Sequence, residues 1–119
     1  MNAPATSNTS DVSGYLPNEF DRKRIAHRLE ARERYRYVQP SVVPIGGGYL
    51  IRSPCCSRNI DPHGGVIDIA MCLYAAGERS WQLFHMLHES QQWRFHSAHR
   101  KLDDLLEELN ADPCRLFWR

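Results

Sequence analysis

Several features that would assign a function class are missing from this 119-residue sequence. No apolar run approaches the roughly 18 residues that a membrane-spanning helix needs. The first ten residues contain neither the basic region nor the apolar region of a signal peptide. The net charge is only +1, so no overall field favours nucleic acid or an anionic membrane. These absences favour a cytoplasmic protein with no membrane partner.

The sequence also lacks the pattern of a disulfide framework, although it contains four cysteines. Cys55 and Cys56 are adjacent, and a disulfide between neighbours would close a strained ring. We therefore expect free thiols in a reducing compartment rather than a disulfide framework.

The two ends of the chain differ in composition. Residues 1–16 are rich in Ser, Thr, Asn, Pro and Ala, which predicts a disordered tail before one domain at residues 17–119.

Asn18 is a candidate N-cap of a first helix that extends to about Arg34. A last helix is predicted over residues 98–110, and the apolar end of the chain is expected to dock on the sheet. That helix has four leucines at helical spacing: Leu102, Leu105, Leu106 and Leu109.

Short extended segments fill the space between the two helices. A strand over residues 41–43 would lie at a sheet edge, because prolines flank it. Residues 66–74 form the clearest strand, with Ile67, Ile69, Met71 and Leu73 expected on one face. Residues 81–88 and 92–96 are predicted as a hairpin in which His85 faces His96. One face of the hairpin would then gather Phe84, Met86, Trp93 and Phe95. The pattern predicts an α+β fold, with an N-terminal helix, an antiparallel sheet of four to five short strands and a C-terminal helix packed on the sheet.

Two segments resemble a known family. Residues 53–70 read SPCCSRNIDPHGGVIDIA, and residues 105–113 read LLEELNADP ahead of Phe117 and Trp118. Together with the spacing of the aromatic residues between them, they resemble small bacterial proteins grouped as domain of unknown function 3024, over about residues 19–119. The resemblance implies a bacterial origin and a compact domain. It implies no activity and no role for any residue.

Polar chemistry is densest in residues 52–63. This segment contains guanidinium forks, hydroxyls, an amide and an imidazole, which are groups that bind phosphate or carboxylate. They belong to Arg52, Ser53, Ser57, Arg58, Asn59 and His63. The glycines at residues 46–48 lead into a strand, so they do not form a phosphate loop ahead of a helix. Because no complete catalytic constellation accompanies this segment, we predict a non-enzymatic binding or regulatory domain. Its recognition loop would bind an anion or a protein partner.

The alternative is a metal-binding or redox-active thiol protein. The nitrogen and sulfur ligands that zinc prefers would come from Cys55, Cys56, His63, His85 and His96. Adjacent cysteines are poorly placed to bind one ion together, so zinc is not favoured and the cofactor stays unassigned. Nearby cations would lower the pKa of the Cys56 thiol. A nucleophilic enzyme would also need a base within reach, and in sequence His63 is the nearest candidate.

A further alternative is that this segment is a turn with a structural role only. Its prolines and glycines fix the backbone, and Asn59 and Asp61 can bind local backbone groups. Asp68 interrupts an otherwise apolar strand, and a half-buried carboxylate there would pair with Arg52 or Arg58.

The first helix and the residues after it are basic. Residues 19–36 contain seven Lys or Arg and four Asp or Glu, so nucleic acid is a further candidate partner. Charges at helical spacing, such as Arg28 and Arg32, can equally cover one solvated face. The partner is therefore left open among a protein, a small anion and nucleic acid.

Overall fold

A computed structural model describes residues 15–32, 38–54 and 65–118. Two helices flank the sheet in sequence, α1 (Glu19–Arg28) and α2 (Leu102–Ala111). The strands between them are β1 (Ser41–Ile45), β2 (Gly48–Pro54), β3 (Val66–Ala75), β4 (Ser80–Leu87) and β5 (Gln92–His99). Short 3₁₀ turns, Leu29–Ala31 and Ala76–Glu78, follow α1 and β3. This order confirms the predicted α+β fold.

The sheet is an antiparallel meander in which each strand pairs with its neighbour in the chain, in the order β1-β2-β3-β4-β5. Strand β1 lies at an edge, as its prolines predicted, and Pro44 falls within it. Apolar residues of both helices join one core with residues from one face of the sheet, which we call the helix face. The fully buried strand residues of this core are Tyr49, Ile51, Ala70, Cys72 and Leu83. The opposite side is the open face.

A β-bulge changes which residues of β3 are buried. The register shifts between Ile51 and Arg52, so that Ile51 pairs with Ala70 and Arg52 pairs with Asp68. Ile69 is the additional residue on β3, and it is buried in the core. The predicted single face is therefore wrong. Ile67 and Ile69 pack with the core, whereas the register places Met71 and Leu73 on the open face.

Helix α1 begins where the sequence predicted and ends earlier. The Asn18 side chain accepts a hydrogen bond from the Asp21 backbone N–H at 2.8 Å, which caps the first turn. The helix was expected to reach Arg34, but it gives way to a 3₁₀ turn at Leu29, and Arg32 is extended. The Arg32 guanidinium donates to the carbonyls of Leu29 and Val38, so its side chain closes the helix end instead of extending it.

The predicted start of the last helix was also wrong. Residues 98 and 99 belong to β5, because Trp81 pairs with His99 and the hairpin continues to the base of β4. Helix α2 starts at Leu102, and its four predicted leucines are all buried. Asp112 ends the helix with a left-handed backbone (φ 41°).

The C-terminal residues are tied to the Asp112 carboxylate. Its oxygens accept hydrogen bonds from the backbone N–H groups of Leu116 (2.8 Å), Phe117 (3.2 Å) and Trp118 (2.8 Å). The Trp118 indole N–H donates to the Leu109 carbonyl at 2.9 Å. Phe117 lies against His85 of β4, and both terminal aromatic residues are about 1% exposed. The predicted docking of this segment on the sheet is confirmed.

Tyr15 joins the domain just before α1. Its ring lies edge-on to Trp81, with 5.0 Å between the ring centroids. Its hydroxyl donates to Asp21 at 2.7 Å and lies 2.8 Å from the Tyr49 hydroxyl. Burial, followed by these hydrogen bonds, raises the pKa of the Tyr15 phenol well above its ordinary range. Residues 1–14, most of the predicted tail, lie outside the described residues.

Candidate functional site

Arg52 is the first residue of the predicted recognition segment, and β2 fixes its position. The bulge sets it directly across from Asp68 of β3, and its Nε donates to Asp68 Oδ1 at 2.9 Å. Both side chains face solvent in part, with 44% of Arg52 and 28% of Asp68 exposed. Of the two partners predicted for Asp68, Arg52 and Arg58, the structure shows Arg52. Because the pair is partly solvated, it orients the guanidinium while leaving it accessible to a ligand.

A pocket of about 250 Å³ opens beside this pair. It lies on the open face at the end of the sheet where β2 and β4 finish. Its lining combines charged and amide groups with apolar side chains: Arg52, Val66, Ile67, Asp68, Met86, His88 and Gln91. A guanidinium, its paired carboxylate, an imidazole and an amide thus line one cavity whose walls also include aliphatic groups. Such a cavity can bind a small anion through several donors at once.

The turn between β4 and β5 supplies one wall of the pocket. The backbone N–H groups of Ser90 and Gln91 both donate to the Leu87 carbonyl, which closes the turn. Gln91 has a left-handed backbone (φ 57°), and its side-chain amide donates to the His88 carbonyl at 2.8 Å. The sequence predicted this hairpin but did not assign His88 or Gln91 to a site. Only the pairing of β3 with β4 brings them close to Arg52.

The other residues of the predicted anion site have a different placement. Ser53 is 2% exposed, and its hydroxyl donates to the Pro54 carbonyl at 3.2 Å. Its register partner Ile67 packs with the core, so Ser53 lies on the helix face and Arg52 on the open face. The remaining predicted site residues lie outside the described residues: Cys55, Cys56, Ser57, Arg58, Asn59 and His63.

The two histidines of the metal hypothesis lie close together without facing each other. His85 pairs with Arg94, so the predicted pairing of His85 with His96 is wrong. A second register shift, between Leu83 and Phe84, separates the half of the hairpin next to its turn from the half at its base. The imidazole centroids are nevertheless 6.2 Å apart, at an interplanar angle of 88°. Phe117 contacts both rings, which places them in an aromatic cluster beneath the end of the chain.

No group of three or more His, Cys, Asp or Glu side chains in the described ranges is arranged to hold a metal ion. Three of the proposed ligands lie outside those ranges, so the metal hypothesis stays a prediction that elemental analysis of the protein would test. Cys72 is fully buried, and burial raises the pKa of its thiol to about 12. This thiol therefore stays protonated at neutral pH and cannot serve as a nucleophile.

A hydroxyl between two imidazoles is a feature that sequence reasoning missed. Ser97 Oγ lies 2.9 Å from His96 Nδ1 and 2.8 Å from His99 Nε2. A hydroxyl donates only one proton, so one of the two rings must donate to it. On its other side, His96 Nε2 lies 3.9 Å from Glu108 Oε2 of α2. This network links β5 to α2, and the HSxH spacing at residues 96–99 is the only signal in the sequence that could have indicated it.

The basic helix directs much of its positive charge to nearby carboxylates. Arg22 donates to Glu19 at 2.6 and 2.7 Å, an ion pair within one turn. Arg24 and Arg28 both approach Asp103 of α2, at 2.9 and 3.3 Å. These pairs connect the two helices and reduce the positive field that a nucleic-acid site would use.

Comparison with known families gives a match over most of the chain. The family model described as domain of unknown function (DUF3024) matches residues 15–119. The chain belongs to the DUF3024 family. The match includes Tyr15, whose ring packs edge-on against Trp81. Neither the curated proteins nor the solved structures contain a match to this chain.

Membership of the DUF3024 family assigns no reaction and no ligand, so the site must be judged on its own geometry. No helix in the described part of this DUF3024 protein has the length and apolar character to cross a bilayer. In the pocket beside Arg52, partly exposed charged side chains and a cavity coincide.

Proposed function

We propose that this chain is a non-enzymatic binding domain that recognises a small phosphate or carboxylate anion in the pocket beside Arg52. The single observation that carries the proposal is the Arg52–Asp68 pair at the wall of a cavity of about 250 Å³. The Asp68 carboxylate accepts a hydrogen bond from the Arg52 Nε. Among the described residues, neither Nη nitrogen of Arg52 has a hydrogen-bond partner. The guanidinium is thus positioned while its terminal nitrogens keep their donors for a ligand.

The size of the pocket restricts the ligand. Its volume lies below the roughly 300–1,000 Å³ typical of drug-sized sites. The ligand is therefore a small anion, or a single anionic group of a larger partner. His88 and Gln91 line the pocket from the turn between β4 and β5, so an anion that contacts them and Arg52 would be bound by two different elements.

The recognition loop continues from this pocket in sequence. Ser57, Arg58, Asn59 and His63 follow β2 within eleven residues of Arg52, and we assign them to the same anion-recognition function. The proposed location is the cytoplasm of a bacterial cell. A free, exposed thiol at Cys114 and a free, buried thiol at Cys72 suit a reducing compartment.

The proposal is tested by a thermal-shift screen of the purified protein against inorganic phosphate, acetate, succinate and mononucleotides. A ligand that binds only the native state raises Tm with its concentration. We expect at least one anion to raise Tm in the wild type. The Arg52→Lys variant keeps the charge but loses the planar fork, and should bind that anion about tenfold more weakly.

Arg94→Lys is the matched control, because Arg94 is an exposed arginine of β5 whose register position is on the other face. It should bind the anion as the wild type does. Unchanged binding in Arg52→Lys would indicate binding by charge alone. Equal loss in both variants would show an effect that is not specific to Arg52, and either result would contradict the assignment. Silence across all the anions would reject the proposed function.

A further inference from the structure

The pocket beside Arg52 contains a negative charge as well as a positive one. Asp68 lines the same cavity, and its Oδ1 accepts the hydrogen bond from the Arg52 Nε at 2.9 Å. The second carboxylate oxygen, Oδ2, accepts no hydrogen bond from the described residues, and it is not one of the buried unpaired polar atoms. The cavity therefore presents a charged acceptor directly beside the free guanidinium donors.

A ligand that carries only negative charge fits half of this arrangement. Its oxygens can accept hydrogen bonds from the Nη nitrogens of Arg52, but they then lie close to the Asp68 carboxylate, and like charges repel each other. With 44% of Arg52 and 28% of Asp68 exposed, water weakens this repulsion without removing it. Arg52 alone would bind any small anion, whereas Asp68 discriminates among anions by what else they carry.

We propose that the ligand is a small zwitterion of the α-amino acid class, an inference that rests on the proposed anion site. The ligand carboxylate accepts hydrogen bonds from the Nη nitrogens of Arg52, and the ligand ammonium donates to Asp68 Oδ2. In an α-amino acid a single carbon atom separates the two charged groups. That short separation suits an arginine and an aspartate that are themselves in hydrogen-bond contact. Each charge in the pocket then meets an opposite charge.

The rest of the described lining is compatible with such a ligand. The Gln91 side-chain nitrogen donates to the His88 carbonyl, and the amide oxygen of Gln91 accepts no hydrogen bond from the described residues. An ammonium group has three donors, so it can use this oxygen as well as Asp68. Val66, which is 55% exposed, gives the cavity an aliphatic surface for the carbon atoms of the ligand. A volume of about 250 Å³ limits the ligand to a small molecule.

The test compares three ligands of similar size by following amide signals of the ¹⁵N-labelled full chain during titration. Glycine carries both charged groups, acetate carries only the carboxylate, and glycinamide carries only the ammonium. A partly solvated ion pair contributes up to about fivefold in affinity, so glycine should bind about fivefold more tightly than acetate. Glycinamide should bind more weakly than glycine, because it has no carboxylate for Arg52. The amide signals of Arg52 and Gln91 report the occupancy of the pocket.

Asp68→Asn separates the two halves of the recognition. The variant keeps the size of the side chain and removes its charge. It should bind glycine about fivefold more weakly than the wild type does, because the ion pair with the ammonium is lost. It should bind acetate as tightly as the wild type or more tightly, because the repulsion is lost too. Glu107→Gln is the matched control, since it makes the same change of charge at an exposed residue of α2, on the helix face. Its affinities should equal those of the wild type.

Equal affinity of the wild type for glycine and acetate would overturn the zwitterion inference and leave the anion site intact. If neither these ligands nor phosphate move the pocket signals, the proposed function fails as well. A preference for glycine that persists in Asp68→Asn, or that Glu107→Gln also removes, would overturn the role of Asp68. The wild-type comparison of glycine with acetate decides the ligand class even if Asp68→Asn does not fold.

Discussion

Arg52 and Asp68 face each other across β2 and β3, and the Arg52 Nε donates to Asp68 Oδ1 at 2.9 Å. If this pair serves ligand binding rather than folding, removing it should hardly affect stability. A partly exposed ion pair typically contributes about 0–1 kcal/mol. We expect Asp68→Asn to lower the free energy of unfolding by less than about 1 kcal/mol in a urea titration. A loss above about 2 kcal/mol would make the pair a structural element, as for pairs that are buried.

The Asp112 carboxylate should have a large effect on stability. It is 1% exposed and accepts hydrogen bonds from three backbone N–H groups that fix the end of the chain. Asp112→Gly removes the carboxylate but tolerates the left-handed backbone at this position, so backbone strain does not contribute to the result. We expect a loss of about 2–3 kcal/mol, because buried N–H groups lose their acceptor.

The matching measurement is chemical denaturation monitored by tryptophan fluorescence, since Trp118 reports on the docked segment directly. A stability equal to that of the wild type would show that the C-terminal segment is held by apolar packing alone.

Gly48 should be intolerant of any side chain. A Cβ atom built there would lie 1.9 Å from the backbone carbonyl oxygen of Cys72 on β3. Backbone atoms of a central strand cannot move aside freely, so Gly48→Ala should destabilise the domain by about 3 kcal/mol or more. Gly46→Ala is the control in the same turn, because nothing lies within 4 Å of a Cβ there. Equal thermal denaturation midpoints for the two variants would contradict the described approach of β2 to β3.

The buried Cys72 thiol should make stability depend on alkaline pH. Burial raises the pKa of this thiol in the folded state from about 9 to about 12. The folded protein therefore holds the thiol proton more tightly than the unfolded chain does. The resulting stabilisation of the folded state has its full value below about pH 9. As the pH rises from about 9 towards about 12, the unfolded state is favoured by up to about 1.4 kcal/mol per pH unit.

Cys72→Ala isolates the effect of this thiol from that of other groups that titrate at high pH. The difference in unfolding free energy between wild type and variant should be constant below about pH 9 and should decrease above it. A difference that stays constant to about pH 10.5 would show that the Cys72 thiolate is tolerated in the fold.

The secondary structure could largely be predicted from the sequence, because its signals are local. The leucine spacing of α2 and the N-cap at Asn18 depend on residues within a few positions of each other. The β-bulge beside Arg52 could not be predicted in this way. It depends on how β2 aligns with β3, two strands whose pairing is set by the whole core.

The candidate site was predicted only in part for the same reason. The charge pattern predicted an arginine partner for Asp68, since a carboxylate in an apolar strand needs one, but it left Arg52 and Arg58 as alternatives, and the structure shows Arg52. His88 and Gln91 reach the pocket through the turn of a different hairpin. Residues more than thirty positions apart come together here, and neither periodicity nor spacing encodes that contact.

The central claim is that a small anion binds beside Arg52, and residue-resolved NMR of the ¹⁵N-labelled protein during a phosphate titration tests it most directly. The account predicts saturable shifts in the amide signals of Arg52, Asp68, His88 and Gln91, which together line the pocket. The same titration of Arg52→Lys should require about tenfold more phosphate to produce those shifts. Shifts confined to the ion-paired face of α1, or shifts that persist unchanged in the variant, would contradict the account.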